Sequence, residues 1–118
     1  MRNNLGVEWV IPVLLTPGVS GTPDDVTVYS ANAPWPFEVL RVDPRITAAI
    51  AGQTIEGRSA AGGLGSALTD TFSAAAVGPA PISAGLGAIA TVALNGSFFI
   101  RRSDRGIGGK VYIHAVRT

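Results

Sequence analysis

Glycine and proline interrupt this chain too often for it to carry long helices. Its 118 residues include 15 glycines and 8 prolines, recurring roughly every eight to twelve residues, the spacing of turns between short strands. Proline inside a helix removes a backbone hydrogen bond and clashes with the preceding turn. Glycine costs about 1 kcal/mol at each helical position. Between the breaks lie runs rich in β-branched and aromatic residues: Val10–Leu15, Val26–Tyr29, Phe37–Ile46, Gln53–Ser59, Leu68–Val77, Ile89–Leu94, Ser97–Arg102 and Lys110–Arg117. About eight short strands with regular turn signals predict an all-β sandwich or barrel. The length allows one domain, residues 1–118, with an ordinary core.

Local patterns refine this. In the third run Phe37 and Val39 share a face opposite Glu38. The phase then flips, so that Leu40, Val42 and Ile46 oppose Arg41, Asp43 and Arg45, which predicts a β-bulge. Pro34 and Pro36 hold Trp35 extended, as a lid on the core or part of a contact surface. Residues 60–67 read as a flexible turn. Leu68–Val77 reads as a strand with Leu68, Phe72 and Ala74 inward, against a single helical turn favoured by three consecutive alanines. "GPAPISAGLGA" reads as a connection across the sandwich. Asn95-Gly96 predicts a two-residue hairpin.

The segment "SDRGIGGKVYIHAV" has the glycines and lysine of a phosphate cradle but not the order. The first glycine of a P-loop would fall on Asp104, and Lys110 is followed by Val111 rather than Ser or Thr. It reads instead as a turn into a terminal strand with Val111, Ile113 and Ala115 on one face. Arg101, Arg102, Arg105 and Lys110 cluster around that turn with Asp104 the only acid nearby in sequence. The cluster is either a solvated hairpin tip or a docking tip that pairs with a partner's carboxylates. If it docks, replacing Arg101, Arg102 and Arg105 with serine leaves folding intact and weakens attachment.

Composition narrows the functional classes. A net charge of +1 is too low for a general nucleic-acid binder. The chain has no cysteine and one histidine, so a thiolate or all-histidine metal site is excluded. No nucleophile elbow or carboxylate pair stands out, Asp24-Asp25 read as turn residues before a strand, and the expectation is a non-enzymatic protein without metal or cofactor. The opening run to Leu15 is short for a signal core or a membrane span, giving the expectation of a soluble, cytoplasmic product. Residues 1–19, with Trp9, are expected either as an extended arm or edge strand added to a neighbour's sheet or as the internal first strand of the same sandwich.

The order of an extended apolar N-terminus, "NAPWPFEVLRV", a Gly-rich turn into "SALTDTFSAAAVG" and then "LNGSFFIRRSDRGIGGKVYIHAVR" resembles the small jelly-roll decoration, or cement, proteins of tailed bacteriophage heads. The resemblance covers residues 26–118. It implies a jelly-roll-like β-sandwich, a structural virion protein on the outer capsid surface that stabilises the shell, the major capsid protein as partner, and a homo-oligomer, with a trimer favoured. Such a protein is made in the host cytoplasm and needs neither membrane nor nucleic acid. Candidate contact residues are Trp9, Trp35, Arg101, Arg102, Arg105 and Lys110. Two other readings stay open: a ligand- or carbohydrate-binding sandwich such as a fibre tip, with Trp35 and Asn32 as its recognition pair, and a portal adaptor or stopper.

Overall fold

The computed structural model describes residues 8–79, 83–84 and 91–118. Among them there is no helix. The strands are β1 (Glu8–Leu15), β2 (Asp24–Tyr29), β3 (Phe37–Ala48), β4 (Thr54–Arg58), β5 (Phe72–Ser73), β6 (Gly78–Pro79), β7 (Ser83–Ala84), β8 (Thr91–Val92), β9 (Phe98–Arg102) and β10 (Gly108–Arg117). A six-stranded sheet runs β1-β10-β3, with β6, β7 and β8 each pairing along the far side of β3. A four-stranded sheet runs β2-β9-β4-β5. All pairings are antiparallel.

The short segments β6, β7 and β8 meet β3 at Arg45–Ile46, Arg41–Val42 and Phe37–Glu38 in turn. They form one interrupted edge. Counted so, eight strands alternate between the sheets in the jelly-roll order, in which only β4 to β5 stays within a sheet. Pro44 falls between the β3 positions that pair with β6 and β7, where a proline has no N–H to give to a ladder. This corrects the expectation for "GPAPISAGLGA": its Gly78–Pro79 and Ser83–Ala84 are ladder segments. The remainder of that stretch, and residues 89–90 of the expected sixth run, lie outside the described residues.

Alternation explains the core. β3 buries Phe37 and Val39, then Val42, Pro44 and Ile46. Its register against β10 shifts between His114, opposite Arg41, and Ala115, opposite Val39. Leu40 is therefore the extra residue of a bulge, at the point where the sequence phase flips. A second shift falls between Gly108 and Gly109 and skips Thr47. Val111, Ile113 and Ala115 of β10 are fully buried, as are Ile55 of β4 and Phe98 and Ile100 of β9 on the facing sheet. Gly57 lets β4 cross beneath Phe98, since a Cβ there would lie 2.8 Å from that ring. Leu68, Phe72 and Ala74 all point into the core, but only Phe72–Ser73 joins a ladder. Over 67–69 the chain is held to β4 by one bridge, Arg58 to Ala67, by Leu68 N–H donating to the Gly57 carbonyl (2.7 Å) and by Gly57 N–H donating to the Thr69 hydroxyl (2.8 Å).

Asn95-Gly96 is not a hairpin. The flanking strands lie in different sheets, β8 on β3 and β9 between β2 and β4. Asn95 alone has positive φ (59°), and Gly96 N–H closes the turn on the Ala93 carbonyl at 2.8 Å. The turn is pinned from outside, with Asn95 N–H donating to the Ala33 carbonyl and Ala33 N–H to the Gly96 carbonyl. A two-residue hairpin joins strands that pair with each other, and the type I′ turn that Asn-Gly favours needs positive φ at both central residues. Neither condition is met.

Gly109 is the tightest point of the main sheet. Its φ is +143°, and a Cβ would collide with the Arg45 carbonyl of β3. Gly52 has φ +76° with open space around it. Gly52→Ala is expected to cost about 1 kcal/mol from backbone strain alone, and Gly109→Ala about 3 kcal/mol or more because the β3–β10 ladder must also part. Urea denaturation of the two variants checks the difference.

Candidate partner-binding surfaces

The three arginines of the expected cluster bond within the chain, and Arg102 is the buried one. β2 pairs with β9 so that Asp24 sits opposite Arg102 and Asp25 opposite Arg101. Arg102 is only 4% exposed. Its Nε and Nη2 donate to the Asp24 carboxylate at 2.7 and 2.5 Å, and its Nη1 to the Thr16 and Ile107 carbonyls at 2.8 and 2.7 Å. Arg101 Nη1 donates to Asp25 Oδ2 (3.0 Å), which also accepts from Gly62 N–H. Arg105 Nε donates to the Val19 carbonyl, while its backbone exchanges bonds with Gly18 and Thr22. The sequence reading missed Asp24 and Asp25 as partners because they lie far away along the chain and their spacing reads as a turn.

Asp104 completes this end. It is 6% exposed and accepts from Gly106 N–H (2.8 Å), Gly21 N–H (3.0 Å) and the Ser20 hydroxyl (3.1 Å). The Gly106 bond, with those from Gly21 and Ser20 and the nearby Arg105 charge, holds its carboxyl below the ordinary value of 3.8 against an opposing desolvation. The segment 103–107 is thus a stitched crossover from one sheet to the other. It is not the tip of a hairpin, since β9 and β10 belong to different sheets. Serine at position 102 would remove a buried ion pair, so the triple serine replacement would disturb folding as well as any contact.

The structure does bring Trp9 and Trp35 together. Their rings lie edge-on at 5.7 Å, Trp9 meets Phe37 at 5.5 Å, and the Arg117 guanidinium stands 5.1 Å from the Trp35 centroid. Tyr29 and Phe98 continue the stack on Phe37. Both tryptophans are half-buried against the core. Asn32 is turned to its own loop, where its Oδ1 accepts from Ser30 N–H at 2.9 Å.

Lys110 stands apart from the arginines, on the outer face of the six-stranded sheet. The register sets three rows there: Val10, His114 and Arg41; Pro12, Tyr112 and Asp43; Leu14, Lys110 and Arg45. Val10 is 45% and Leu14 62% exposed, and Pro12 is exposed between them. β1 forms the sheet's edge, so a contiguous apolar row faces solvent where an edge strand would ordinarily carry charge. Beside it lies a groove of about 410 Å³ bounded by Leu14, Pro17, Arg45, Thr47, Lys110 and Tyr112. In "EWVIPVLL" both faces of the alternation are apolar, which was the available signal, but a sequence does not say whether such a strand is central or at an edge. Among the described residues no three of His, Asp and Glu converge as metal ligands would.

Comparisons with protein-family models, curated proteins and solved structures found no match to this chain.

Two outcomes follow from the stitched end. Arg102→Met should lower stability by about 3 kcal/mol, because Asp24 and two carbonyls lose a buried partner, whereas Arg105→Ser should cost about 1 kcal/mol or less. Chemical denaturation of both variants checks this. Asp104 has a folded pKa below its unfolded one, so its contribution is present above about pH 4 and is lost as pH falls through the lower folded value. Asp104→Asn should weaken the fold at neutral pH and flatten the loss of stability below about pH 4, read as urea midpoints at several pH values.

Proposed function

We propose that this protein is a non-enzymatic structural component of a tailed-phage virion that attaches to the outer surface of the assembled capsid and stabilises it. The observation that carries the reading is the exposed apolar row of Val10, Pro12 and Leu14 on the edge of a jelly roll. Water-facing apolar side chains in a contiguous row on a rigid sheet suit a surface that is covered by protein in use. The resemblance to cement proteins supplies the kind of surface that covers it: the major capsid protein, repeated over the shell.

The rest of the molecule is consistent with adhesion as its task. Arg101, Arg102 and Arg105 bond within the chain, which makes the body stiff, and a stiff body loses little conformational entropy on docking. Many copies, each making modest contacts, hold a shell through effective concentration. A trimer would add to this by presenting three equal surfaces at once.

Quantitative gel analysis of purified heads tests the proposal. On the order of hundreds of copies per head are expected for a cement bound across the lattice. About a dozen copies would make it a portal adaptor, and absence from heads with glycan binding by the isolated protein would make it a fibre-tip module. Either result overturns the reading.

A further inference from the structure

The outer face of β1, β10 and β3 has a charge pattern that its apolar row does not explain. Lys110 stands beside Leu14 on β10, and Arg41 and Arg45 lie one strand further, on β3, in the rows of Val10 and Leu14, with Lys110 and Arg45 lining the groove. Three acids lie on this face, Glu8 and Glu38 in the row opposite Val116 and Asp43 opposite Tyr112, and all three are engaged, Glu38 among them. Asp43 Oδ2 accepts from Arg45 Nη2 at 3.1 Å, and Glu8 Oε1 lies 3.2 Å from His114 Nδ1. Arg41 and Lys110 are exposed and form no salt bridge among the described residues. The face therefore offers an apolar strip along β1 and two uncommitted cations on the neighbouring strands. The groove of about 410 Å³ and a second hollow bordered by Val10, Asp43, Arg45, Tyr112 and His114 share Arg45 and Tyr112, so the strip, Arg45 and Lys110 belong to one continuous surface, which Arg41 adjoins opposite His114.

We propose that this face docks an acidic, apolar-bearing segment of a partner protein, whose apolar side chains cover Val10, Pro12 and Leu14 and whose carboxylates pair with Arg41 and Lys110. The inference deepens the capsid reading and rests on it for the partner's identity, while the chemistry comes from the face itself. Outward residues on β1 stand about 6.7 Å apart, so an extended segment with apolar residues at alternate positions matches their spacing. A second copy of the chain fits poorly. An isologous contact would set Arg41, Arg45 and Lys110 against one another or against apolar groups, with the acids of this face already engaged. A nucleic-acid backbone would use the cations but leave Leu14 and Val10 without a partner.

The test uses the full chain in two arms. In the first, wild type, Leu14→Ser and Arg41→Glu/Lys110→Glu are added to heads lacking the protein, and bound copies are counted by sedimentation. All three substituted positions are exposed, so thermal midpoints should match wild type. Each variant should lower occupancy about tenfold at limiting protein, and wild-type occupancy should fall as salt rises. In the second arm a synthetic peptide of alternating valine and glutamate is titrated into the isolated protein. NMR shifts should concentrate at Val10, Leu14, Lys110 and Tyr112, and disappear in the charge-reversed variant. Wild-type occupancy of heads by every variant overturns the face while leaving the capsid reading standing. Failure of wild type to bind heads, with peptide binding at this face, overturns the capsid reading and keeps the face. Peptide shifts elsewhere, no peptide binding, or a dimer that Leu14→Ser dissolves overturns the docking proposal.

Discussion

The buried Arg102 guanidinium is the interaction on which one whole end of the molecule depends. Arg102 ends β9, and Asp24 begins β2 opposite it. The same group binds the carbonyl of Thr16, just after β1, and that of Ile107, just before β10. One planar cation thus joins the closing segments of both sheets. Arginine suits this because its five fixed donors serve a carboxylate and two carbonyls together, and because it stays charged when buried. Removing the cation would leave a partly buried carboxylate and two carbonyls without partners. Asp104 mirrors the arrangement with opposite sign, tying 20–21 to 104–106.

With that end closed, the sheets are shaped by irregularities rather than by uniform pleating. The bulge at Leu40 rotates β3 so that Phe37 and Val39 at one end, and Val42 and Ile46 at the other, face the same core. Without it, one half of the strand would turn its apolar residues to solvent. Gly109, with φ +143°, lets β10 approach β3 at the second shift. At the far end the rings of Trp9, Trp35, Phe37, Tyr29 and Phe98 interlock in tilted and edge-on contacts, the arrangement ring quadrupoles prefer.

The broad outer face of the six-stranded sheet is the surface on which the docking proposal rests. Its character follows from strand order. β1 is apolar on both faces, Ile11, Val13 and Leu15 turning toward the core and Val10, Pro12 and Leu14 away from it. In the middle of a three-layer protein such a strand would be covered twice. At the edge of a two-layer jelly roll it is covered once. Pro12 reduces the hazard, since an edge strand containing proline lacks one donor for adding an unwanted strand.

Local patterns along the chain are enough to set the strand class, most strand positions, the bulge and the inward residues Leu68, Phe72, Ala74, Val111, Ile113 and Ala115. Each of these follows from period-two alternation and from Gly and Pro chemistry, which act over a few residues. The fate of the charges and turns comes from how the strands assemble. Whether Arg102 meets solvent or Asp24, whether Asn95-Gly96 closes a hairpin or a crossover, and whether Leu14 is covered depend on which strands become neighbours. That pairing is fixed by contacts between residues distant along the chain, and no local pattern carries it.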